Sequence, residues 1–272
     1  MVIKICCAVL LFFVGSAAGA ELKPETAAAF DRYVRVTDQR MDARSQFLWL
    51  DTLTSMERAG IFDDLRRGGL VVRPLQAREN GQPIEAPDGL IHHWVGAVFV
   101  PNATLTEAVA LLQNYDAHAD IYKPRIARSQ LISRDGERYR VYFRFVMMKV
   151  ITVVVNSQHE GYFVRPAPDR VESRFHSVRV VEVENPDTPR ERERPVGMDG
   201  GYLWRLNTYW RLLERDGGVY LECESVSLSR DIPTGLGWLI RPFVTGIPRE
   251  SLVFTLETTR ARLMDSAGPR AR

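Results

Sequence analysis

The end of the chain constrains it most. Asp231 to Leu263 reads DIPTGLGWLIRPFVTGIPRESLVFTLETTRARL, with Leu252, Leu256, Thr259 and Leu263 recurring at helical spacing. Arg249, Glu257, Arg260 and Arg262 lie largely off that stripe. Toward its start the segment is apolar nearly all round, so it needs cover on more than one side. Pro248 suits a first helical turn capped by Thr245-Gly246, and Pro242 predicts a kink after the Thr234–Phe243 turns. Such a helix has to lie on a sheet, and the residues before it are mostly strand-like.

From Leu90 the pattern is strand, helix, then six strands. Ile91–Val100 is the first strand, and Thr104-Leu-Thr-Glu107 is a capping box opening a helix with Leu105, Ala108, Val109 and Leu112 inward. The six runs are Arg125–Ser133, Tyr139–Met148, Ile151–Val164, Val171–Glu184, Tyr202–Leu213 and Val219–Arg230. Turn signals separate most of them, including Asp135-Gly136 and Asp216-Gly217-Gly218. No turn residue marks the break near Lys149, so those two runs can also be one bent strand. Asn185–Gly201 reads as a solvated charged loop. The order predicts an α+β architecture, an antiparallel sheet with its helices on one side.

Ahead of this unit, Pro24–Ser45 reads as a helix with Phe30, Tyr33, Val34, Thr37 and Met41 along one side. Thr54-Ser-Met-Glu57 opens a second helix that Gly68-Gly69 ends. The expected division is a signal peptide over 1–20, a helical extension and linker over 21–88, the α+β domain over 89–265 and a disordered tail over 266–272. The first twenty residues carry one early lysine, a short apolar core and Ala18-Gly19-Ala20. This is the layout of a secretory signal cleaved after Ala20, and it places the mature chain in the periplasm or outside the cell. Cys6 and Cys7 leave with it, so Cys223 remains alone and no internal disulfide forms. The mature chain then has 35 basic against 34 acidic side chains, a balance that argues against nucleic acid as a partner.

The order from Leu90 to Met264, closed by DIPTGLGWLIRPFVTGIPRESL, resembles START-like proteins of the helix-grip fold. This group is also called SRPBCC and includes polyketide cyclase/dehydrase and coenzyme Q-binding types. The resemblance covers about two-thirds of the chain and omits the extension. It implies a seven-stranded curved sheet wrapped round the C-terminal helix, with a lipid, sterol, quinone or polyketide-like molecule between them.

No nucleophile elbow, phosphate loop, CxxC pair or HExxH pattern occurs, and Gly235-Leu-Gly237 lacks the third glycine of a dinucleotide loop. His92 and His93 are strand neighbours and must face opposite sides, so they cannot share a metal. Asp116, His118 and Asp120 diverge at a helix end, and His159 and His176 are single strand residues. No catalytic residue, metal ligand or cofactor is therefore assigned. Val141, Phe143, Phe145 and Met147 alternate with polar residues and face inward. If Leu213 pairs with Val219, then Trp204, Leu206, Thr208 and Trp210 share a face with Glu222 and Glu224. A one-residue slip swaps the faces and leaves the glutamates pointing to water. The expected ligand-binding set is Phe143, Phe145, Trp204, Trp210 and Glu224 from the sheet, with Trp238, Phe243, Leu252 and Leu256 from the helix. The favoured reading is a monomeric, non-catalytic module that binds or transports an apolar small molecule, with transient membrane contact. A cyclase/dehydratase-type enzyme using a cavity carboxylate and a protein-interaction module are the alternatives.

Overall fold

The computed structural model describes residues 20–148, 151–231 and 237–266, with side chains of the final helix from residue 246. The expected signal segment and tail thus lie outside the described residues, apart from Ala20 and Ser266. Helix α1 spans Pro24–Ala43, with Pro24 at its first turn and Thr26, Phe30, Tyr33, Thr37 and Met41 buried on one side. Helix α2 spans Ser55–Arg66, its Thr54 hydroxyl accepting from the Glu57 amide, and Gly68 leaves it at φ +90°. Helix α3 spans Leu105–Gln113 and begins with the full Thr104–Glu107 capping box. Helix α4 runs as one element over Gly237–Ser266, through both Pro242 and Pro248. The predicted break and first turn are therefore corrected. Each proline deletes one intrahelical bond, and the helix is held by packing, since Leu252, Leu256, Thr259 and Leu263 are all buried.

Nine strands form the main antiparallel sheet, rather than seven. In chain order they are β1 (Leu70–Pro74), β2 (Gly89–Pro101), β3 (Ile126–Asp135), β4 (Arg138–Met148), β5 (Thr152–Ala167), β6 (Arg170–Glu184), β7 (Arg192–Glu193), β8 (Arg205–Arg215) and β9 (Gly218–Arg230). Their spatial order is β1-β2-β9-β8-β6-β5-β4-β3, and β7 pairs with β6. The two additions to the expected seven are β1, from the extension, and β7, from the charged loop. β4 and β5 pair antiparallel from Arg138↔Tyr162 to Met148↔Thr152, so they are two strands, not one bent one.

The sheet is covered on both sides. Helix α4 lies over β1, β2 and β9 on what we term the helix side. Gly96 makes this approach possible, because a Cβ there would come 2.7 Å from Leu256 Cδ1. On the opposite, outer side, α1 buries Phe30 and Tyr33 with Tyr209, Val226 and Leu228. Beside it Leu48, Leu50, Phe62 and Leu65 pack with Ala97, Phe99 and Tyr220. The Asn185–Gly201 loop is not simply solvated. It seals Arg144, whose side chain is 3% exposed, through Glu191 (2.7 Å) and Asp187 (3.4 Å).

Candidate ligand site

The faces of the sheet are set by the β8–β9 hairpin. Asp216 and Gly217 both have positive φ, 59° and 76°, as a two-residue turn of the mirror-image type requires. That turn pairs Arg215 with Gly218, and hence Leu213 with Tyr220 and Trp210 with Cys223. The expected pairing of Leu213 with Val219 is wrong by one residue, and every side chain exchanges faces. Trp210 lies on the helix side with Cys223 and Leu221, while Glu222 and Glu224 lie on the outer side with Arg211 and Tyr209. Trp204 precedes the strand and joins the outer cluster, its indole N–H donating to Asp199 Oδ1 at 3.1 Å. Glu224 and Trp204 therefore do not meet Phe143 and Trp210. The Asp-Gly dipeptide was the signal in the sequence that fixes this register.

On the helix side, Trp94, Phe143, Phe145, Leu206 and Trp210 are only half-buried. Phe143 is the centre of an aromatic group: Phe145 stacks at 5.5 Å, His118 lies parallel at 5.8 Å, and His159 meets its edge at 5.7 Å. Burial pushes the His159 imidazole down to about 3, with His176 adding to it, and burial likewise takes His118 down to about 4. Both rings are neutral at physiological pH. His159 Nε2 lies 3.1 Å from Ser157 Oγ. Ser173, directly opposite Trp210, and Tyr139 carry buried hydroxyls with no hydrogen-bond partner among the described residues. Leu252 and Leu256 are buried helix residues against the same sheet face. The side chains of Trp238 and Phe243 lie outside the described residues.

The outer side holds the charged chemistry that the sequence did not locate. His93 Nε2 lies 2.6 Å from Glu224 Oε1, and its Nδ1 lies 2.9 Å from the Tyr33 hydroxyl. The Glu224 carboxylate can only accept, so His93 Nε2 donates to it; in the neutral ring Nδ1 then accepts the Tyr33 proton, and the Tyr33 oxygen accepts from the Ala77 amide at 2.9 Å. Arg40 of α1 also bonds Glu224. Burial pushes the Glu224 carboxyl up, but His93, Arg40 and Arg44 outweigh it and hold the group below its ordinary range. Glu222 accepts from the Trp49 amide (2.7 Å) and more weakly from the Leu50 amide (3.4 Å), with Arg44 at 3.6 Å. Burial dominates here and takes Glu222 up to about 7, against the pull of Arg44 and the Trp49 amide. His92 sits on the helix side, 3.0 Å from Ser229 Oγ, so the two adjacent histidines do face opposite sides. Sealed beneath α1 and the Phe47–Leu50 segment, the two glutamates fasten the extension to the sheet.

Cys223 is a free, buried thiol. Among the described residues no group of three or more His, Cys, Asp or Glu could hold a metal ion, and no helix is long and apolar enough to cross a membrane.

No protein-family model matches the sequence, and no curated protein matches it. Among solved structures, the chain is similar to a STAR-related lipid transfer protein from Xanthomonas axonopodis, with 17% identity and a TM-score of 0.44 over 70% of this chain and 98% of that one. It is also similar to the Zhui aromatase/cyclase from Streptomyces sp. R1128, with 12% identity and a TM-score of 0.45 over 66% and 98%. A third is human STARD10, with 8% identity and a TM-score of 0.45 over 76% and 80%. The chain's own coordinates carry the architecture: a long antiparallel sheet holding a C-terminal helix against one face. It is a helix-grip architecture with an added N-terminal cover on the outer face.

Proposed function

We propose that the chain binds an apolar small molecule on the helix side of the sheet, without transforming it. One observation carries the reading. Trp94, Phe143, Phe145, Leu206 and Trp210 are left half-buried on the face that also carries the buried cluster of Leu212, Val219, Leu221 and Leu252. Phenylalanine is commonly buried outright in a core and tryptophan largely so, and apolar pockets use the same residue types with a few convergent polar groups. Here the polar groups are the hydroxyls of Ser173 and Tyr139, which have no hydrogen-bond partner among the described residues. The ligand class is a lipid, sterol, quinone or polyketide-like molecule, and the leader expected over residues 1–20 supports binding outside the cytoplasm. The glutamates supply no carboxylate to this face, and His159, at about 3, is a weak base.

The test is fluorescence titration of delipidated protein with the neutral probe N-phenyl-1-naphthylamine. Wild type should bind, and Phe143→Ala and Trp210→Ala should each weaken binding by about ten-fold or more, roughly 1.4 kcal/mol. Absence of binding by wild type, or unchanged binding by both variants, overturns the proposal.

A further inference from the structure

Strand register places a continuous half-buried patch on the helix side of the sheet. Trp94 on β2 stands opposite Ser225 on β9, which stands opposite Thr208 on β8. The row on one side of these is Cys223, Trp210 and Ser173. The row on the other side is Ser227, Leu206 and Ser177, with the Leu206 amide donating to Ser177 Oγ at 2.9 Å. Trp94, Ser225, Thr208, Trp210, Leu206 and Ser177 are half-buried, while Cys223, Ser173 and Ser227 are buried. Neighbouring strands are about 5 Å apart and successive rows on one face about 7 Å, so the patch spans roughly 10 by 14 Å.

The patch joins two indoles to a set of hydroxyls, and none of its side chains is charged. Its neighbours continue the pattern. His92 lies beside Ser227 and His159 beside Ser177. Burial takes His92 down to about 4 and, with His176, takes His159 down to about 3, so both imidazoles are neutral at physiological pH. Phe175 lies beside Thr208, and Phe163 beside Ser173. Charges further out are engaged elsewhere. Glu182, later on β6, accepts from the Gly200 and Tyr202 amides at 2.8 and 3.0 Å. Arg125 lies over the Phe254 ring at 5.9 Å beside the edge strand β3, four strands from β8. An ion brought onto the patch would lose its water and meet no countercharge among the described residues, which is costly. A hydroxyl or carbonyl oxygen instead meets hydroxyls that can both donate and accept. It also supplies the partner that the buried Ser173 hydroxyl lacks among the described residues.

We propose that the molecule held on the helix side is uncharged and carries at least one hydroxyl or carbonyl oxygen, which meets Thr208, Ser225 and Ser173 while the apolar body lies on Trp94 and Trp210. This rests on the reading of that side as an apolar ligand site and narrows it. Neutral alcohols and ketones fit the patch, and carboxylates, phosphates and amines do not.

Displacement of N-phenyl-1-naphthylamine near neutral pH by naphthalene, 2-naphthol and 2-naphthoate, which share one ring system, tests it. 2-Naphthol should displace the probe at least as well as naphthalene, although it is the less apolar of the two. 2-Naphthoate should need about ten-fold more than 2-naphthol, or beyond. Ser173→Ala combined with the isosteric Thr208→Val should weaken 2-naphthol by about three-fold or more and leave naphthalene unchanged. Naphthalene thus reports whether the double variant keeps its site, and if it does not, the order of the three competitors on wild type decides alone. 2-Naphthoate acting at concentrations close to those of 2-naphthol overturns the proposal. So does naphthalene outcompeting 2-naphthol, or a double variant that binds both neutral competitors as wild type does. Each of these leaves the apolar site standing, because the probe is still bound and displaced. Failure of wild type to bind the probe at all removes the site, and the proposal with it.

Discussion

Replacing Glu222 by glutamine should make the protein's stability less dependent on pH. Glu222 is 2% exposed and titrates at about 7 when folded, against an ordinary value near 4.5. The folded chain therefore holds a proton that the unfolded chain releases between those two values. Its stabilising effect is complete below the unfolded value and is lost as pH rises through the folded one. At about 1.4 kcal/mol per unit, ionising Glu222 in place costs about 3 kcal/mol, of which roughly 2.5 falls between pH 5 and pH 8.5. Glutamine keeps an acceptor for the Trp49 amide but cannot ionise. The difference in unfolding free energy between Glu222→Gln and wild type, measured in urea at both pH values, should then move by about 2.5 kcal/mol in the variant's favour. Subtracting the two proteins cancels the titrating groups that do not feel the Glu222 charge. A difference that stays constant within about 0.5 kcal/mol would show that Arg44 and the two amides keep Glu222 ionised throughout, and the reasoning would fail.

Two further outcomes follow from the outer face. A chain begun at Gly89 loses β1, α1 and α2 and uncovers Ala97, Phe99, Tyr220 and both glutamates. It should melt at least about 10 °C lower or aggregate, and equal melting would mean that the extension is a separate unit. Arg144→Gln should let the Glu191 carboxyl, held down at about 2 chiefly by its hydrogen bond to Arg144, rise toward the ordinary carboxylate range. Carbon-13 NMR titration reads this directly, and an unmoved titration would refute the pairing.

Much of the fold was legible because it is written in local periodicity. The stripe Leu252, Leu256, Thr259 and Leu263 is buried as its spacing predicted, and the Thr104–Glu107 box opens α3. Of the expected contact set, Phe143, Phe145 and Trp210 share the helix side with Leu252 and Leu256. The misplacement of Glu224 and Trp204 came from treating Glu214–Gly218 as one loop, when the two-residue demand of Asp216-Gly217 governs the register. The partners of Arg40 and Arg44 were not legible at all. A spacing of four puts both on one side of the expected Pro24–Ser45 helix, though Arg44 follows α1 in extended backbone, and nothing local says that a strand far down the chain carries carboxylates to meet them. β1 and β7 were missed as members of the sheet for a similar reason. A strand of two to five residues has too little pattern to show, and its membership is decided by the neighbour it meets.

The fastening of α1 to β9 also sets an order in time. Arg40 and Glu224 are 184 residues apart, and Glu222 lies 173 residues beyond Trp49. Helix α1, synthesised long before β9, must wait with its apolar stripe uncovered until the last of the described strands has arrived. Contacts of such separation are slow to form, and an apolar surface waiting for its partner is open to association with other chains. A helix made early is thus among the last elements to find its place, and the yield of folded protein rests on how well that stripe is shielded in the interval.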